Sequence, residues 1–412
     1  MWNEIGKRAK AAALRLAQSS DEERRSAVCL MADRLECGSA MLLAANGYDL
    51  QNGRKDGLSE AMLDRLQLTQ QRIRQMADGL RTLAEQPDPL NKVLSEDTRP
   101  NGLHIRKVAV PLGVIAVIYE SRPNVTADSA GLCLRAGNAC ILRGGREAQH
   151  SNAHITGILR NALSDAGLPA DCIQLLDDKG REGAQALMKM REYVDLLIPR
   201  GGKGLINNVL DHATVPVLRT GEGVCHIYVD KDADIFMAAD IIHNAKVSRC
   251  SVCNACECML IHQEIAEQVL PEIAKKLLDS GVVIRGDKAT LQIVPQAEEA
   301  DLSDWGKEYL DLIIASKVVG SLKEALTHIR TYGTGHSEAV ITRDEQTARA
   351  FFNQVDAAAV YHNASTRFTD GGEFGFGAEI GISTQKLHAR GPVGLEQLTS
   401  YKYIIQGKGQ TR

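Results

Sequence analysis

Residues 113–143 read GVIAVIYESRPNVTADSAGLCLRAGNACILR, and this stretch decides the fold class. The segments GVIAVIY (113–119) and ACILR (139–143) are short and apolar, as strands buried on both faces are. Between them, a helical pattern covers residues 126–136. Because a parallel pair of strands needs a long crossover, the order strand, helix, strand predicts a doubly wound α/β unit built around this stretch.

The same alternation continues towards the C-terminus in two sets. The first set adds the strand candidates CIQLL (172–176), YVDLLI (193–198) and VPVLR (215–219). The second set contains HIYV (226–229), ECMLIH (257–262), DLIIASKVV (311–319) and EAVIT (338–342). Helical patterns separate these strands within each set, which predicts two parallel, doubly wound sheets.

Residues 1–87 are predicted to be entirely helical, and residues 86–102 are turn-rich. Ser20 with Glu23 predicts a capping box at the start of one of these helices. Two strand-like segments, LHIRKVAV (103–110) and SYKYIIQG (400–407), lie outside the alternation. They are expected to form a projecting pair used for subunit contacts, with an ordinary edge ribbon as an equally consistent alternative.

Composition excludes several classes of protein. The 412 residues are 44% hydrophobic and 24% charged, as in a globular protein, and the net charge of −4 gives no general attraction to nucleic acid or to an anionic membrane. The longest apolar run, residues 108–119, contains Pro and Gly and falls short of the roughly 20 residues of a membrane span. No secretory signal is recognisable at the N-terminus. We therefore expect a cytoplasmic protein whose ten cysteines stay reduced.

Two glycine-containing turns follow strand candidates and are candidate phosphate sites, although no G-x-G-x-x-G motif is present. In LLIPRGGKG (196–204) the candidate residues are Arg200, Gly201 and Gly202. In GNACILRGGREA (137–148) they are Arg143, Gly144, Gly145 and Arg146. Backbone amides at a helix N-terminus bind phosphate, so two such turns in one sheet suit a dinucleotide. A pair of tight strand-to-helix turns is the alternative.

The segment CSVCNACECMLIH (250–262) contains four cysteines in nine positions. Its C-x2-C-x2-C-x1-C spacing differs from the ferredoxin pattern and does not complete a zinc site. Cys256 and Cys258 are expected to share one face of a strand as small buried residues. A reactive thiolate at Cys253 would be favoured by the nearby cations Lys246 and Arg249. From the residues alone, a metal site, inert thiols and a nucleophile all remain open.

The same segment, following NAKVSR, resembles the catalytic-cysteine segment of the gamma-glutamyl phosphate reductases, or glutamate-5-semialdehyde dehydrogenases, a family of the aldehyde dehydrogenase superfamily. Further segments resemble that family in its own order: GLSEAMLDRL (57–66), VPLGVIAVIYESRPNVT (110–126), GNACILRGG (137–145), IPRGG (198–202), GVCHIYVD (223–230), NASTRFTDGG (363–372) and STQKLHARGPVGLE (383–396). The resemblance covers essentially the full chain. It implies an aldehyde dehydrogenase-like α/β fold, with two doubly wound α/β domains and a small β oligomerisation extension.

The resemblance also implies a division of the chain into domains. A cofactor-binding domain is expected at residues 1–222, with residues 361–391 returning to it and residues 100–110 in the β extension. A catalytic domain that carries the cysteine is expected at residues 223–360, and residues 392–412 supply the C-terminal strand of the extension.

The family reaction implies roles for particular residues. Cys253 matches the nucleophile that attacks L-glutamyl 5-phosphate, releasing phosphate and leaving a thioester. The Cys253 backbone N–H and the side-chain amide of Asn124 match the donors to the oxyanion. Cys250, Cys256 and Cys258 stand where the family has no cysteines, so we expect them to be bystanders and expect no metal site.

Cofactor and substrate residues are implied in the same way. Arg143 matches the position that contacts the adenosine ribose, and Arg146 would suit a 2′-phosphate, so NADP(H) is the expected cofactor. Glu308 matches the glutamate that holds the nicotinamide ribose. The loop of Ser365, Thr366 and Arg367 matches the one that binds the amino-acid end of the substrate. Arg122 is a second candidate for binding an anionic substrate. Arg122 and Arg367 could instead form structural ion pairs.

Thr220 stands where hydrolytic aldehyde dehydrogenases carry a water-activating glutamate, although Glu222 lies close by in sequence. This favours a phosphate-dependent enzyme of proline biosynthesis over the two alternatives. These are a hydrolytic or CoA-acylating aldehyde dehydrogenase, and a non-enzymatic cysteine-cluster metal or redox protein. The expected partners are L-glutamyl 5-phosphate, phosphate, further copies of the chain in a homo-oligomer, and glutamate kinase.

Overall fold

The computed structural model describes residues 2–177 and 180–412, which divide into two compact units. The first unit contains the described residues up to Thr220 together with residues 375–381 and 393–412. The second contains residues 221–374 and 382–392. Within the described residues, no helix has both the length and the apolar composition needed to cross a bilayer.

The first unit begins with the predicted helical region. Its helices are α1 (Trp2–Leu16), α2 (Asp21–Cys37), α3 (Ser39–Lys55), α4 (Glu60–Leu66) and α5 (Gln70–Glu85). The predicted capping box at the start of α2 is confirmed. The Glu23 backbone N–H donates to Ser20 Oγ at 3.1 Å, and the Ser20 N–H donates to the Glu23 carboxylate at 2.7 Å.

The α/β part of the first unit follows. Its elements are β1 (Val93–Thr98), β2 (His104–Pro111), β3 (Val114–Tyr119), α6 (Asn124–Arg135), β4 (Ala139–Arg143), α7 (Gln149–Asp165), β5 (Ile173–Leu175), α8 (Glu182–Met188), β6 (Leu196–Arg200) and α9 (Lys203–His212). Four strands form a parallel sheet in the order β5-β4-β3-β6, and every residue of β3 is buried. The strand predicted at 215–219 is reduced to one parallel bridge between Val217 and Leu197, next to Pro216, which has no N–H to donate.

The second unit is built around one large sheet. Its elements are β7 (Cys225–Val229), α10 (Ile235–Val247), β8 (Cys256–His262), α11 (Ala266–Asp279), β9 (Val283–Gly286), α12 (Lys288–Ile293), β10 (Glu298–Glu299), β11 (Ile313–Val319), α13 (Leu322–Tyr332), β12 (Ser337–Ile341), α14 (Glu345–Gln354), β13 (Ala359–His362), β14 (Ile382–Ser383) and β15 (Gly391–Pro392). Seven strands pair in parallel, in the order β10-β9-β11-β8-β7-β12-β13.

The expectation that Cys256 and Cys258 share one face of their strand is wrong. The pairing of β7 with β8 shifts register, so that Cys225 pairs with Cys256 and His226 pairs with Cys258. An extra residue in one strand, here Glu257, reverses the side on which the following side chains point. Cys256 therefore packs in the core on one face of the sheet, whereas Cys258 packs in the core on the other.

Residues 361–374 and 382–391 belong to the second unit, whereas the sequence assigned 361–391 to the first. The reason is that β13 extends the seven-stranded sheet beside β12, and the loop that follows β13 is hydrogen-bonded to Asn254. Only residues 375–381 return to the first unit within this range.

The two isolated strand-like segments pair as predicted. The last strand, β16 (Thr399–Gln406), pairs antiparallel with β2 along eight residues. A third strand, β1, joins on the other side of β2. The sequence did not predict β1, because four of its six residues, VLSEDT, are polar, all six are exposed, and the strand lies in a turn-rich stretch.

Candidate active site

Cys253 lies in the turn that joins α10 to β8 in the second unit, and its side chain is half-buried. None of the ten cysteines forms a disulfide, and all ten lie within the described residues. Cys256 and Cys258 are buried, and burial raises the pKa of both thiols, for Cys256 to about 12. Those two cysteines are therefore poor candidates for the nucleophilic thiolate, whereas Cys253 lies in a partly accessible turn.

The backbone of Cys253 is packed directly against Gly223. A Cβ built on Gly223 would lie 1.4 Å from the carbonyl oxygen of Cys253, so no side chain fits at position 223. The same carbonyl accepts a hydrogen bond from the Cys225 thiol at 3.2 Å. Two neighbours from the start of β7 therefore fix the backbone of the predicted nucleophile.

The residue after the cysteine, Asn254, is buried and bonded to the loop that follows β13. Its side-chain amide donates to the carbonyl oxygens of Arg367 at 3.2 Å and Thr369 at 2.9 Å, and its side-chain oxygen accepts from the Arg367 guanidinium. Its own carbonyl accepts from Thr366 Oγ at 2.7 Å. The sequence analysis did not single out Asn254, although an asparagine beside a candidate nucleophile was a usable signal.

These contacts bear on the loop of Ser365, Thr366 and Arg367, which the sequence analysis expected to bind the substrate. Ser365 and Thr366 are both buried, and their hydroxyls are used within the protein: Ser365 Oγ accepts the Arg367 backbone N–H at 3.3 Å, and Thr366 Oγ donates to Asn254. Arg367 is half-buried and also donates from Nε to Ser248 Oγ at 3.2 Å. The loop therefore supports the cysteine turn, and Arg367 is its one cationic side chain.

The electrostatic surroundings of Arg367 connect it to Cys253. Burial lowers the pKa of the Arg367 guanidinium, the like charge of Arg249 lowers it further, and the charges of Asp370 and then Cys253 raise it. A cation and a sulfur that interact in this way stabilise the charged forms of both. Arg367 is therefore a further candidate cation for a Cys253 thiolate, in addition to Arg249, which the sequence analysis named together with Lys246.

Lys246 instead forms an internal ion pair. Its Nζ donates to Glu257 Oε2 at 2.6 Å, and both side chains are fully buried. Burial raises the pKa of Glu257 to about 7, while the charge of Lys246 acts in the opposite direction. The Lys246 charge is thus compensated within the second unit.

Glu308 lies beside the cysteine turn. Its Oε1 accepts the backbone N–H of Gly223 at 2.8 Å, and Gly223 abuts Cys253. The backbone N–H of Leu310, which has a positive φ of 55°, donates to Glu257 Oε1 at 3.3 Å. The segment that carries Glu308 is therefore attached both to the cysteine turn and to the buried ion pair.

In the first unit, Asn124 is the first residue of α6, and Arg122 is half-buried two positions earlier. The Asn124 amide donates to Asp128 at 2.9 Å, which leaves its second N–H for another acceptor. Burial raises the pKa of Asp128 to about 6, and Asn124 and then Arg200 oppose the shift. This contact orients the amide that the sequence assigned to the oxyanion.

The segment that carries Arg122 and Asn124 is held by Glu147, a residue that the sequence analysis missed. Ser121 has a positive φ of 43°, and both its backbone N–H, at 2.6 Å, and its hydroxyl, at 2.7 Å, donate to the Glu147 carboxylate. The available signal was an acidic residue directly after the Gly144–Gly145 pair.

The glycines of both predicted phosphate turns make room for neighbouring side chains. A Cβ on Gly144 would lie 2.1 Å from Asn152 Nδ2, and one on Gly145 would lie 2.1 Å from Glu147 Oε1. A Cβ on Gly201 would lie 2.4 Å from Glu120 Oε2, and the Gly202 N–H donates to that oxygen at 3.0 Å. Close packing against these side chains explains the glycines. The Gly202 amide, which was expected to bind a phosphate, donates to the Glu120 carboxylate instead.

The two arginines of the first turn differ. Arg143 donates from Nη2 to the Gly180 carbonyl at 2.6 Å, while its buried Nε has no hydrogen-bond partner among the described residues. Arg146 is exposed, and its side chain forms no hydrogen bond or ion pair with any residue that the structure describes. An exposed guanidinium beside a glycine turn is suited to an anion from outside the chain, such as a 2′-phosphate.

Thr220 offers no replacement for a catalytic carboxylate. It is buried, and its hydroxyl donates to the Pro199 carbonyl at 2.7 Å. A hydroxyl bonded in this way cannot act as the base that activates water.

Comparison with known proteins connects these features to one family. Residues 3–316 match the model of the aldehyde dehydrogenase family. The chain is 56% identical, over 407 residues, to the gamma-glutamyl phosphate reductase of Moorella thermoacetica, which covers 99% of this chain and 97% of that relative. It is 54% identical, over 409 residues, to the gamma-glutamyl phosphate reductase of Syntrophomonas wolfei, with 99% and 98% covered.

Solved structures agree with the sequence relatives. The gamma-glutamyl phosphate reductase of Thermotoga maritima superimposes with a TM-score of 0.98 at 45% identity, over 100% of this chain and 99% of that chain. An acetylating aldehyde dehydrogenase from Geobacillus thermoglucosidasius superimposes with a TM-score of 0.71 at 18% identity, over 100% and 97% of the two chains. The second likeness supports the aldehyde dehydrogenase-like α/β fold alone.

Proposed function

The chain belongs to the gamma-glutamyl phosphate reductases of the aldehyde dehydrogenase family, and from this premise we propose that it reduces L-glutamyl 5-phosphate to L-glutamate 5-semialdehyde and phosphate. This reaction is the second step of proline biosynthesis. The observation that carries the proposal is the turn of Cys253, whose backbone is fixed by Gly223 and Asn254 while the residue remains partly accessible.

In the proposed reaction, the Cys253 thiolate attacks the acyl carbon of L-glutamyl 5-phosphate. A bond forms between Sγ and this carbon, the bond to the phosphate oxygen breaks, and phosphate leaves with the electron pair. The negative oxygen of the tetrahedral intermediate needs donors, and the proposed donors are the Cys253 backbone N–H and the second N–H of the Asn124 amide. Arg367 stabilises the thiolate before the attack.

A nicotinamide cofactor, which we propose to be NADPH, supplies the hydride that converts the thioester to the aldehyde. Arg146 would bind its 2′-phosphate, because the exposed guanidinium has no partner among the described residues. Arg143, Gly144 and Gly145 would line the same turn, and the Glu308 carboxylate, which accepts the Gly223 N–H, would hold the nicotinamide ribose. Arg200, Gly201 and Gly202 are weaker candidates because Glu120 already bonds to that turn.

The two units have separate roles in this proposal. The first unit binds the cofactor, and the second carries the nucleophile and, through Arg367 of the loop that includes Ser365 and Thr366, the anionic end of the substrate. Arg122 is a second candidate for the substrate carboxylate. The exposed Tyr401, Tyr403 and Ile405 on β16 support a role of the three-stranded sheet in contacts between copies of the chain.

The experiment that tests the proposal runs the reaction in the oxidative direction. NADP⁺ reduction is followed with glutamate 5-semialdehyde, with and without inorganic phosphate, and with CoA in place of phosphate. We expect steady turnover only with phosphate, since Thr220 offers no base for water. Turnover that requires CoA, or that continues with water alone, would assign the chain to a different reaction on the same fold.

A further inference from the structure

Three side chains that the proposed reaction leaves unused converge inside the second unit. They are His226 on β7, Cys258 on β8 and His328 on α13. A ring nitrogen of each histidine and the Cys258 sulfur all lie within 4.8 Å of one another. Their exposed fractions are 0% for His226 and Cys258 and 4% for His328, so the group is closed to bulk solvent.

His226 is oriented as a metal ligand would be. Glu338 Oε2 accepts both the backbone N–H of His226, at 2.8 Å, and its ring Nδ1–H, at 3.2 Å. With the proton on Nδ1, the other ring nitrogen carries a lone pair, and Nε2 is buried without a hydrogen-bond partner among the described residues. A carboxylate that fixes the outer nitrogen of a histidine is a common feature of zinc sites.

Cys258 and His328 form the second half of the group. The Cys258 sulfur lies 3.7 Å from His328 Nε2, within hydrogen-bonding distance for sulfur. Bonds of about 2.3 Å from zinc to sulfur and about 2.0 Å to nitrogen place two tetrahedral ligands about 3.5 Å apart. The Trp305 and Tyr332 rings, with centroids 5.6 and 4.7 Å from that of His328, hold the imidazole in this orientation.

A cavity lies next to Glu338, the carboxylate that accepts from His226. The cavity is lined by Leu326, Ile329, Gly333 and Gly335 and reaches Glu338, whose Oε1 is buried without a partner among the described residues. A Cβ on Gly333 would lie 3.0 Å from that oxygen and 3.6 Å from the His226 ring. A Cβ there would also lie 2.6 Å from the Ile329 carbonyl oxygen, so only a residue without a side chain fits beside the carboxylate and the imidazole.

We propose that His226, Cys258 and His328 bind one divalent ion of the zinc class, with Glu338 orienting His226. On binding, the Cys258 S–H bond breaks, the proton leaves to solvent, and bonds form from the metal to Sγ and to one nitrogen of each imidazole, while a water molecule kept from the ion's hydration shell is the fourth ligand. No oxidation state changes. The ion links β7, β8 and α13, and a tetrahedral geometry requires the most distant pair of ligand atoms to approach by about 1 Å.

Cobalt is the probe for this site, because Co²⁺ takes zinc geometries and its bond to a thiolate gives a charge-transfer absorption band. The full chain is stripped with a chelator and titrated with Co²⁺. We expect the band to saturate at about one equivalent per chain with release of about one proton, because a thiol must deprotonate to bind. Zn²⁺ should then remove the band and raise the Tm of the protein.

Matched cysteine variants assign the band. Cys258→Ser should abolish it, whereas Cys256→Ser, equally buried on the same strand but on the other face of the sheet, and Cys253→Ser should retain it. His328→Gln provides a second ligand variant, and circular dichroism verifies that each variant is folded. The proposal is overturned if folded wild-type protein gives no band at one equivalent. It is equally overturned if the band survives Cys258→Ser or disappears with Cys253→Ser, which would place the metal on the nucleophile.

Discussion

The turn that carries Cys253 and the glycine turns of the first sheet both contain closely packed glycines, but the glycines have different structural roles. At Cys253, Gly223 and Asn254 fix the backbone through close packing and hydrogen bonds. At the first-sheet turns, the glycines make room for Glu120 and Glu147, and Arg146 remains exposed. Because packing fixes the Cys253 turn, we expect changes in its shape to abolish activity. The cofactor contact depends on exposed charge, so that changes there should give graded effects.

The largest effect is expected from the nucleophile itself. Cys253→Ser should lower kcat by roughly 10³-fold or more, because an alcohol is a much weaker nucleophile near neutral pH. Cys250→Ser and Cys256→Ser are the matched controls and should retain most of the activity. Initial rates of phosphate-dependent NADP⁺ reduction measure all three. Equal losses in the three variants would mean that the cysteines act as a group, contrary to the account.

Gly223→Ala tests whether shape fixes the turn. The new Cβ cannot fit 1.4 Å from the Cys253 carbonyl, so the turn must move, and a displacement of about 1 Å at a reacting group can cost about 10²-fold in rate. Gly320→Ala is the control in the same unit, because its Cβ would meet no atom closer than 3.5 Å. Wild-type kcat in folded Gly223→Ala protein would show that Gly223 does not position the nucleophile.

Arg146→Glu tests the first-sheet turn, where the effect should be graded and selective. A charge-assisted hydrogen bond contributes about 1.5–3 kcal/mol, so we expect NADPH to bind about 10- to 150-fold more weakly while NADH binding changes little. Titration of the protein with each cofactor, followed by fluorescence, gives both Kd values. Arg191→Glu, another exposed arginine of the first unit, is the charge-matched control. Equal weakening of both cofactors would make Arg146 a structural residue.

The smallest effect concerns Asp128, which orients the Asn124 amide. Its pKa is raised to about 6, so the folded protein keeps this proton while the unfolded chain loses it near pH 4. Stability therefore falls as the pH rises from about 4 to about 6, and the loss persists above pH 6. Asp128→Asn removes this dependence and keeps an acceptor for Asn124. It should be nearly neutral at pH 4 and stabilising at pH 7, by at most about 3 kcal/mol.

Urea unfolding at the two pH values measures this difference. Asp64→Asn, at an exposed position of the same unit, is the control. An Asp128→Asn effect that is the same at pH 4 and pH 7 would show that Asp128 ionises normally in the folded protein.

Much of the fold could be predicted because hydrophobic periodicity depends on local sequence. The strands at 113–119 and 139–143, the second sheet and the pairing of 103–110 with 400–407 all have such patterns. The strand at Val93–Thr98 has none, because its exposed polar residues carry no alternation and its order comes from pairing with β2. The bulge at Glu257 could not be predicted from the sequence either, since it arises from the register of β8 against β7.

In the candidate site, too, some residues could be named from the sequence, whereas the contacts between distant segments could not. Cys253, Arg146 and Glu308 were named because motif resemblance identifies residues one position at a time. Contacts such as Asn254 with the loop at 365–369 join segments more than 100 residues apart, and no spacing rule relates them. Lys246 was misjudged for a related reason: closeness to Cys253 in sequence suggested an activating cation, whereas the folded chain pairs it with Glu257.

The proposed Cys253 thioester should be released efficiently only by phosphate. Rapid mixing of the enzyme with NADP⁺ and glutamate 5-semialdehyde in phosphate-free buffer tests this most directly. We predict a burst of about one NADPH per active site followed by a near stop, with a glutamyl adduct on the peptide containing Cys253, and turnover on adding phosphate. Steady conversion to free glutamate without phosphate, and no adduct on Cys253, would contradict the account.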